Sequence, residues 1–448
     1  MDWRPIFGTN GIRGIANKEL TPDVALRLCL SLGTLMDEKS TVAVGRDTRI
    51  SGEMLKNAAV SGLQSTGCSV IDLDIAPSPV IQYYVRDFAD AGVIVTASHN
   101  PREYNGLKFV DGDGTEFSRN VEKEIERAYE RGEFRRAGWK NIGKLSMADG
   151  ISGYKGGVKK LVDVNKIRGE KFKVVVDPGG GAGCVVTPSL LRELGCTVIE
   201  LNAQPDGTFP GRPPEPIEDA LGELISLVKK TRANLGVALD GDADRAVFVD
   251  ENGAFVSEDV LLAIFAKHTM LERKKGIVVI PVSSSQCVVD VVEQNGGTIV
   301  WTPVGSIHVA RRMIETGAVF GGEGNGGLIF PEHLHGRDGT MAAAKILEML
   351  SDGKPLSQLA DEIPKYFHIK RKITVPDKDA VMKELGKVVK GNVDTTDGVK
   401  IWHDDGWVLV RASGTEPIIR VFAESKTMER ARELMQEGVE LVKQPKRV

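Results

Sequence analysis

Hydrophobic positions in this chain fall in short β-branched runs separated by longer stretches of helical period. Gly92 to Val95 is apolar throughout, as suits a strand buried on both faces. It breaks into Thr96-Ala97-Ser98-His99-Asn100-Pro101, a small polar turn whose proline cannot extend the strand. Upstream, the pattern predicts a helix over Thr21 to Met36 with Pro22 in its first turn, then a strand over Thr41 to Val44. A loop at Gly45 to Arg49, a helix over Ser51 to Ser65 and a strand over Gly67 to Leu73 follow. This is the βαβ order of elements.

The order is written three times. Lys173 to Asp177, the turn Gly179 to Gly183 and Gly195 to Leu201 repeat it, as do Gly276 to Pro281, Ser283 to Ser285 and Gly296 to Trp301. Each copy then adds a strand led by Gly92, Gly236 or Gly317, and six residues beyond those glycines stand Ser98, Asp242 and Glu323. Three degenerate repeats of about 100 residues are therefore expected to present a nucleophile, a carboxylate cluster and a third polar loop at equivalent places. After Pro364 the pattern changes. An alternating strand over Phe367 to Val375 precedes a helix over Asp377 to Lys390, strands at Gly398 to Ile401 and Gly406 to Val410, and a closing helix over Thr427 to Val442. The fold class expected is α/β, with three repeated mixed-sheet α/β/α domains and a smaller C-terminal α+β domain. Boundaries are expected at 1–152, 153–251, 252–366 and 367–448. The first lies in the charged, glycine-rich stretch Arg131 to Gly157, the second at the turn Asp250 to Gly253.

Composition narrows the function classes. A chain of 448 residues, 41% hydrophobic and 27% charged, can bury a sizeable core. A net charge of −4 and a pI near 6.1 argue against a dedicated nucleic-acid binder. Met1 to Asn17 has no apolar core of a signal peptide, and no apolar run approaches the about 18 residues of a membrane span. The five cysteines are scattered and never in C-x-x-C spacing, which reads as buried thiols in a reducing cytoplasm.

Asp240-Gly241-Asp242-Ala243-Asp244-Arg245 sets three carboxylates at alternate positions. Anions this close repel unless a cation sits among them, and an all-oxygen donor set suits Mg²⁺ or Ca²⁺ rather than zinc. The plain alternative, a solvated acidic turn, sits poorly behind the apolar strand Leu235 to Leu239. An EF-hand is excluded because Arg245 stands where its sixth position needs glycine. Gly321-Gly322-Glu323-Gly324-Asn325-Gly326-Gly327 is not a dinucleotide loop, since Leu328 to Pro331 does not open a helix. Glu323 and Asn325 instead offer donors and acceptors for sugar hydroxyls. Gly179 to Gly183 also lacks dinucleotide spacing, with Cys184 where glycine is needed, and reads as structural. Arg411-Ala412-Ser413-Gly414-Thr415-Glu416-Pro417, with Arg420 beyond, is an anion cradle whose natural guest is phosphate. Arg13, Lys108 and Arg245 add positive charge where phosphoryl groups would pass. His99 is placed either to orient Ser98 and carry its proton or simply to fill a turn.

TASHNP, DGDADR, GEGNGG and RASGTEP, in that order along the whole chain, resemble the α-D-phosphohexomutase family. The resemblance implies four domains around a central active-site cleft. It implies that Ser98 carries a phosphoryl group and that Asp240, Asp242 and Asp244, with Ser98, hold one Mg²⁺ per chain. Glu323 and Asn325 would contact the sugar, while Arg411, Ser413, Gly414, Thr415 and Arg420 would hold the phosphate that is not reacting. Lys108 and Arg13 match family positions beside the transferring group. The implied reaction interconverts hexose 6-phosphate and hexose 1-phosphate, with a sugar 1,6-bisphosphate as intermediate and activator. SGTEPIIRV is closest to members acting on glucosamine phosphate, which is the expected substrate, with mannose or glucose phosphate as the alternative. The expected partner is thus a small sugar phosphate, with no nucleic acid and no membrane; a homo-oligomer stays open. Two other readings share single motifs only. A serine phosphatase would use Ser98 but not the cradle, and a Ca²⁺-binding repeat protein would have no use for Ser98.

Overall fold

The computed structural model describes residues 7–8, 11–389, 391–413 and 418–443. The chain forms two compact units, one of residues 1–257 with 326–359 and one of residues 258–325 with 360–448.

In the first unit, β1 (Ile12–Ile15), β2 (Thr41–Arg46), β3 (Ser69–Ile75), β4 (Ala91–Val95), β5 (Tyr104–Asp111) and β6 (Leu145–Met147) form one sheet in the order β1-β5-β4-β2-β3-β6. The strand β2 pairs in parallel with both β3 and β4, and β5 returns antiparallel to β4. The same unit holds β7 (Lys173–Asp177), β8 (Thr197–Glu200), β9 (Leu235–Leu239), β10 (Ala246–Val249) and β11 (Phe255–Val256), ordered β11-β10-β9-β7-β8. Here β7 is flanked in parallel by β8 and β9, and β10 returns antiparallel. In the second unit β12 (Ile277–Pro281) lies in parallel between β13 (Thr298–Thr302) and β14 (Phe320–Glu323), and the next strand along the chain, β15 (Gly327–Ile329), belongs to the first unit. Each sheet therefore places its first repeated strand between the second and the third, which is the threefold repeat in spatial form.

The glycines ahead of the second strands have a common cause. Gly67, Gly195 and Gly296 have φ of 92°, 98° and 78°. That left-handed turn out of a helix and into a strand is open to glycine and strained for other residues. The third glycine of the last repeat is different. Gly317 caps the helix Ser306–Thr316 with φ 63°, and β14 begins only at Phe320, so the expected strand from Gly317 is displaced. Ser98 and Asp242 follow their strands by three residues, whereas Glu323 is the last residue of β14.

Two elements depart from the sequence reading. The sequence pattern assigns no element to Tyr104 to Asp111, where Asn105 and Gly106 are poor strand formers. It is nonetheless a strand, paired with β1 and β4, and the pairing explains the glycine: a Cβ on Gly106 would lie 2.4 Å from the Thr96 carbonyl and 2.6 Å from that of Ile12. The neighbouring strands approach too closely for a side chain. The stretch Arg131 to Gly157 holds β6 and, beyond it, the start of the helix Gly150–Lys160. Asp149 caps that helix by accepting from the amides of Ile151 and Ser152.

The C-terminal sheet comprises β16 (Phe367–Thr374), β17 (Val393–Asp394), β18 (Val399–His403), β19 (Gly406–Ala412) and β20 (Ile418–Ser425), in the antiparallel order β16-β20-β19-β18-β17. The helix Met428–Lys443 buries Leu434, Met435 and Val439 against it. On its other side Lys400 is buried, lying 4.8, 4.1 and 3.9 Å from the ring centres of Trp301, Trp402 and Trp407 and donating to the Val282 carbonyl at 2.8 Å. The indole faces and that carbonyl compensate an ammonium withdrawn from water. Among the described residues no helix is long and apolar enough to cross a membrane.

Candidate functional site

The first unit brings Ser98, His99, Lys108, Arg13 and the Asp240 to Arg245 loop together from two different sheets. β4 is buried at every position and delivers Ser98 just beyond its carboxyl end, where open α/β sheets place their ligands. A small polar turn suggests an exposed Ser98; instead it is wholly buried, with φ 49° in the left-handed region. Its Oγ donates to Asp240 Oδ2 at 2.7 Å. His99 Nδ1 lies 3.4 Å from the same Oγ, the outer limit of a hydrogen bond. Burial, with Arg245 and Arg13 nearby, pulls His99 down to about 2, so its imidazole is neutral.

The acidic loop leaves the end of β9 in the same way. Its middle residue, Ala243, also has a left-handed backbone, with φ 56°. Strain of this kind persists only where the surroundings over-determine it. The three carboxylates are buried, and one oxygen from each lies within 4.8 Å of the others. Lys108, carried by β5, donates to Asp242 Oδ2 at 2.8 Å and to Asp244 Oδ2 at 3.1 Å. Ser78 Oγ adds a bond to Asp242 Oδ2 at 2.5 Å, and Arg337 Nη2 one to Asp244 Oδ2 at 2.5 Å. The Arg245 Nε lies 3.8 Å from Asp244 Oδ1, and the Arg245 amide donates to Asp240 Oδ1 at 3.2 Å.

This arrangement divides the charges. Burial raises the Asp244 carboxyl, but Arg337, Lys108 and Arg245 outweigh it and hold the group well below the usual range. Burial also raises Asp242, where Lys108 and Ser78 bring the net shift down. Asp240 is pushed well above the usual range by burial and by Asp244 and Asp242. Burial lowers Lys108, yet its two aspartates hold it above its ordinary value.

Two oxygens decide whether a cation fits. Asp242 Oδ1 and Asp244 Oδ1 are buried and meet no hydrogen-bond donor among the described residues. Orphaned buried carboxylate oxygens are costly unless something positive completes them. An all-oxygen set of this kind fits a hard divalent cation. Arg13 supplies a matching open donor: its Nη1 reaches Asn100 Oδ1 at 2.5 Å, while Nη2 is buried with no partner among the described residues.

The remaining candidates belong to the second unit. Glu323 is buried, and its Oε1 accepts from the Gly305 amide at 3.1 Å, while the Asn325 amide donates to the Glu323 carbonyl at 2.7 Å. Arg411 and Arg420 face each other across β19 and β20, and Lys372 faces Arg420 across β16 and β20. Three cations thus form one cross-strand row, an unfavourable arrangement unless an anion joins it. Asp397 partly answers it, its Oδ2 accepting at 3.0 Å from both Nε and Nη2 of Arg411. Ser413 is buried and its amide donates to the Ile418 carbonyl at 2.9 Å. Gly414 and Thr415 lie outside the described residues.

Sequence reasoning missed Ser78, Arg337 and Lys372. Each lies far along the chain from its partner, and only strand register or tertiary packing reveals the pairing. Lys372 alone leaves a trace, as a cation on an alternating strand.

Comparison with known proteins agrees with this organisation. Residues 4–136, 152–253 and 257–367 match the α/β/α domains I, II and III of the phosphoglucomutase/phosphomannomutase family, and residues 369–441 match its C-terminal domain. The chain is 48% identical to a phosphoglucomutase/phosphomannomutase of Thermococcus kodakarensis, over 98% of each protein. It is 44% identical to a probable phosphoglucosamine mutase of Methanopyrus kandleri, covering 98% of this chain and 97% of that protein. A phosphoglucomutase/phosphomannomutase family protein of Burkholderia thailandensis superposes with a TM-score of 0.87 at 26% identity, over 99% of this chain and 98% of that one. Matched domain by domain along almost its full length, the protein belongs to the α-D-phosphohexomutase family of isomerase-class phosphotransferases.

Proposed function

We propose that this enzyme interconverts hexose 6-phosphate and hexose 1-phosphate through a phosphoserine at Ser98 and a sugar bisphosphate, with glucosamine phosphate as its substrate. The observation that carries the reading is the Ser98 Oγ bonded to Asp240 beside two orphaned carboxylate oxygens and Lys108. In the forward half-reaction the ester bond between Ser98 Oγ and phosphorus breaks, and a sugar hydroxyl, losing its proton, forms the new bond to phosphorus. Asp240 Oδ2 then holds the hydroxyl hydrogen of free Ser98. In the return half-reaction the other sugar oxygen–phosphorus bond breaks, Ser98 Oγ takes that phosphoryl group, and the Ser98 hydroxyl proton ends on the released sugar oxygen. Lys108, Arg13 and Arg245 supply fixed positive charge where the phosphoryl oxygens pass, so positioning and electrostatics carry the catalysis. Asp240, Asp242 and Asp244, with the Ser98 phosphate, would hold one Mg²⁺, which neutralises phosphoryl charge. Glu323 and Asn325 bind sugar hydroxyls. Five unpaired cysteines, four of them buried and Cys184 half-buried, fit work in a reducing cytoplasm.

The sugar is the open choice between two named groups of relatives. The phosphate loop supports glucosamine phosphate, in line with the Methanopyrus kandleri relative. The 48% identical relative carries the phosphoglucomutase/phosphomannomutase name, which supports mannose or glucose phosphate as the alternative. Turnover of the 1-phosphates of glucosamine, glucose and mannose, measured side by side, decides between them. Glucosamine 1-phosphate is expected to give the highest kcat/KM. Steady release of inorganic phosphate without 6-phosphate product would replace the mutase by a phosphatase.

Arg411→Ala tests the cradle. A charge-assisted phosphate contact contributes about 1.5–3 kcal/mol, so KM for every 1-phosphate substrate should rise roughly tenfold or more, and by a similar factor for each sugar. If one sugar alone loses activity, Arg411 reads the sugar and not the phosphate.

A further inference from the structure

We propose that Arg49 is a positioning residue that fixes the Ser98 loop for phosphoryl transfer; the proposal rests on Ser98 as the phosphoryl carrier. Arg49 follows β2 and is 1% exposed. Its Nη1 donates to the carbonyls of Pro101 at 2.7 Å and Tyr104 at 2.8 Å. Its Nη2 donates to those of Ser98 at 2.8 Å and Asn100 at 2.7 Å, and its Nε to Asp47 Oδ2 at 3.0 Å. All five guanidinium N–H groups are thereby used, four of them on the backbone of one loop.

The bonds close into a ring. Thr96 Oγ1 donates to Asp47 Oδ2 at 2.7 Å and accepts from the Ser98 amide at 2.8 Å. Ser98 is thus held at its amide through Thr96 and Asp47, and at its carbonyl by Arg49 directly. The ring of Phe209 covers the guanidinium at 5.4 Å from its centre. A left-handed serine backbone needs such over-determination, and that backbone aims Oγ at Asp240. These five guanidinium bonds end on the Ser98 loop or on Asp47, and none on the acidic loop. Loss of Arg49 should therefore act first on the nucleophile, since none of these bonds reaches Glu323, Asn325, Arg411 or Arg420, the groups proposed to bind substrate. Lysine cannot substitute, because one ammonium lacks the planar fork that spans four carbonyls.

The test uses the full-length enzyme with Arg49→Lys, measuring kcat and KM on the best phosphosugar and the ³¹P resonance of the phosphoserine. Expected are a fall in kcat of about a hundredfold, as for a nucleophile displaced by about 1 Å, a KM within about threefold of wild type, and a shifted resonance with an unchanged circular-dichroism spectrum. A kcat near wild type, or a loss confined to KM, overturns the proposal. Should Arg49→Lys fail to fold, the near-isosteric Asp47→Asn, which weakens the Nε anchor, is expected to lower kcat alone by about fivefold or more; an unchanged kcat again overturns the proposal. The two levels fail separately. Wild-type enzyme without phosphate on Ser98 overturns the phosphoserine reading and this proposal with it, whereas phosphorylated wild type beside a fully active Arg49→Lys overturns this proposal alone.

Discussion

Ser98→Ala is expected to lower kcat by at least about a thousandfold, close to 4 kcal/mol of barrier, while the protein stays folded. The size of the effect follows from chemistry: alanine has no oxygen to accept the phosphoryl group, and a lost phosphoryl carrier cannot be replaced by better positioning. The effect on stability is smaller. Alanine removes one donor from Asp240 Oδ2, worth about 1–3 kcal/mol, but Asp240 Oδ1 keeps the Arg245 amide. The backbone ring around residue 98 uses main-chain atoms that the substitution leaves in place. Intact mass should show one phosphate on the wild-type chain and none on the variant. Retention of more than about a tenth of wild-type activity, a barrier change below about 1.4 kcal/mol, would remove Ser98 from the mechanism.

What could be read from the sequence was what is local. The glycines before the second strands announce a left-handed turn wherever they occur, so the repeat is visible one residue at a time. The three aspartates stand at alternate positions on one loop, and their mutual repulsion needs no tertiary knowledge. Lys108 could be picked out, but the strand that delivers it could not, because Asn105 and Gly106 are poor strand formers and the glycine answers to crowding by Thr96 and Ile12, which lie elsewhere along the chain. Arg49 reads as an ordinary loop arginine; its four carbonyl partners appear only once β4 and β5 have folded beside β2. Arg337 is 93 residues from Asp244, and nothing in its surroundings marks it. The offset of Gly317 has the same origin. Counting residues from a glycine assumes that each strand begins at it, whereas Gly317 is spent on a helix cap.

Chelated enzyme is expected to be inactive and to recover on adding Mg²⁺, and Asp242→Asn is expected to stay inactive at Mg²⁺ concentrations that restore the wild type. The structure favours asparagine over alanine for this test. Asp242 Oδ2 accepts from both Lys108 and Ser78, so alanine would leave the buried ammonium with Asp244 alone and take the acceptor from the Ser78 hydroxyl, a loss of about 1–3 kcal/mol that confuses folding with function. Asparagine can keep an oxygen for those donors, while it removes the charge and puts an NH₂ group, which cannot ligate a cation, in the place of the open Oδ1. The lost charge matters because Lys108 and Arg337 already draw on the loop, leaving Asp242 Oδ1 and Asp244 Oδ1 as the open oxygens. Taking one carboxylate from three weakens attraction for a divalent ion in a dry site, where Coulomb terms far exceed their values in water. Ca²⁺ should bind the same oxygens, but its looser, larger shell should support less turnover than Mg²⁺. Melting curves with and without Mg²⁺ give a readout independent of activity. Wild type should be stabilised by the ion, and Asp242→Asn should not. Full activity in chelated enzyme without added metal would show that Asp242 and Asp244 serve Lys108, Ser78 and Arg337, and Asp240 serves Ser98 and the Arg245 amide, with no part for a metal.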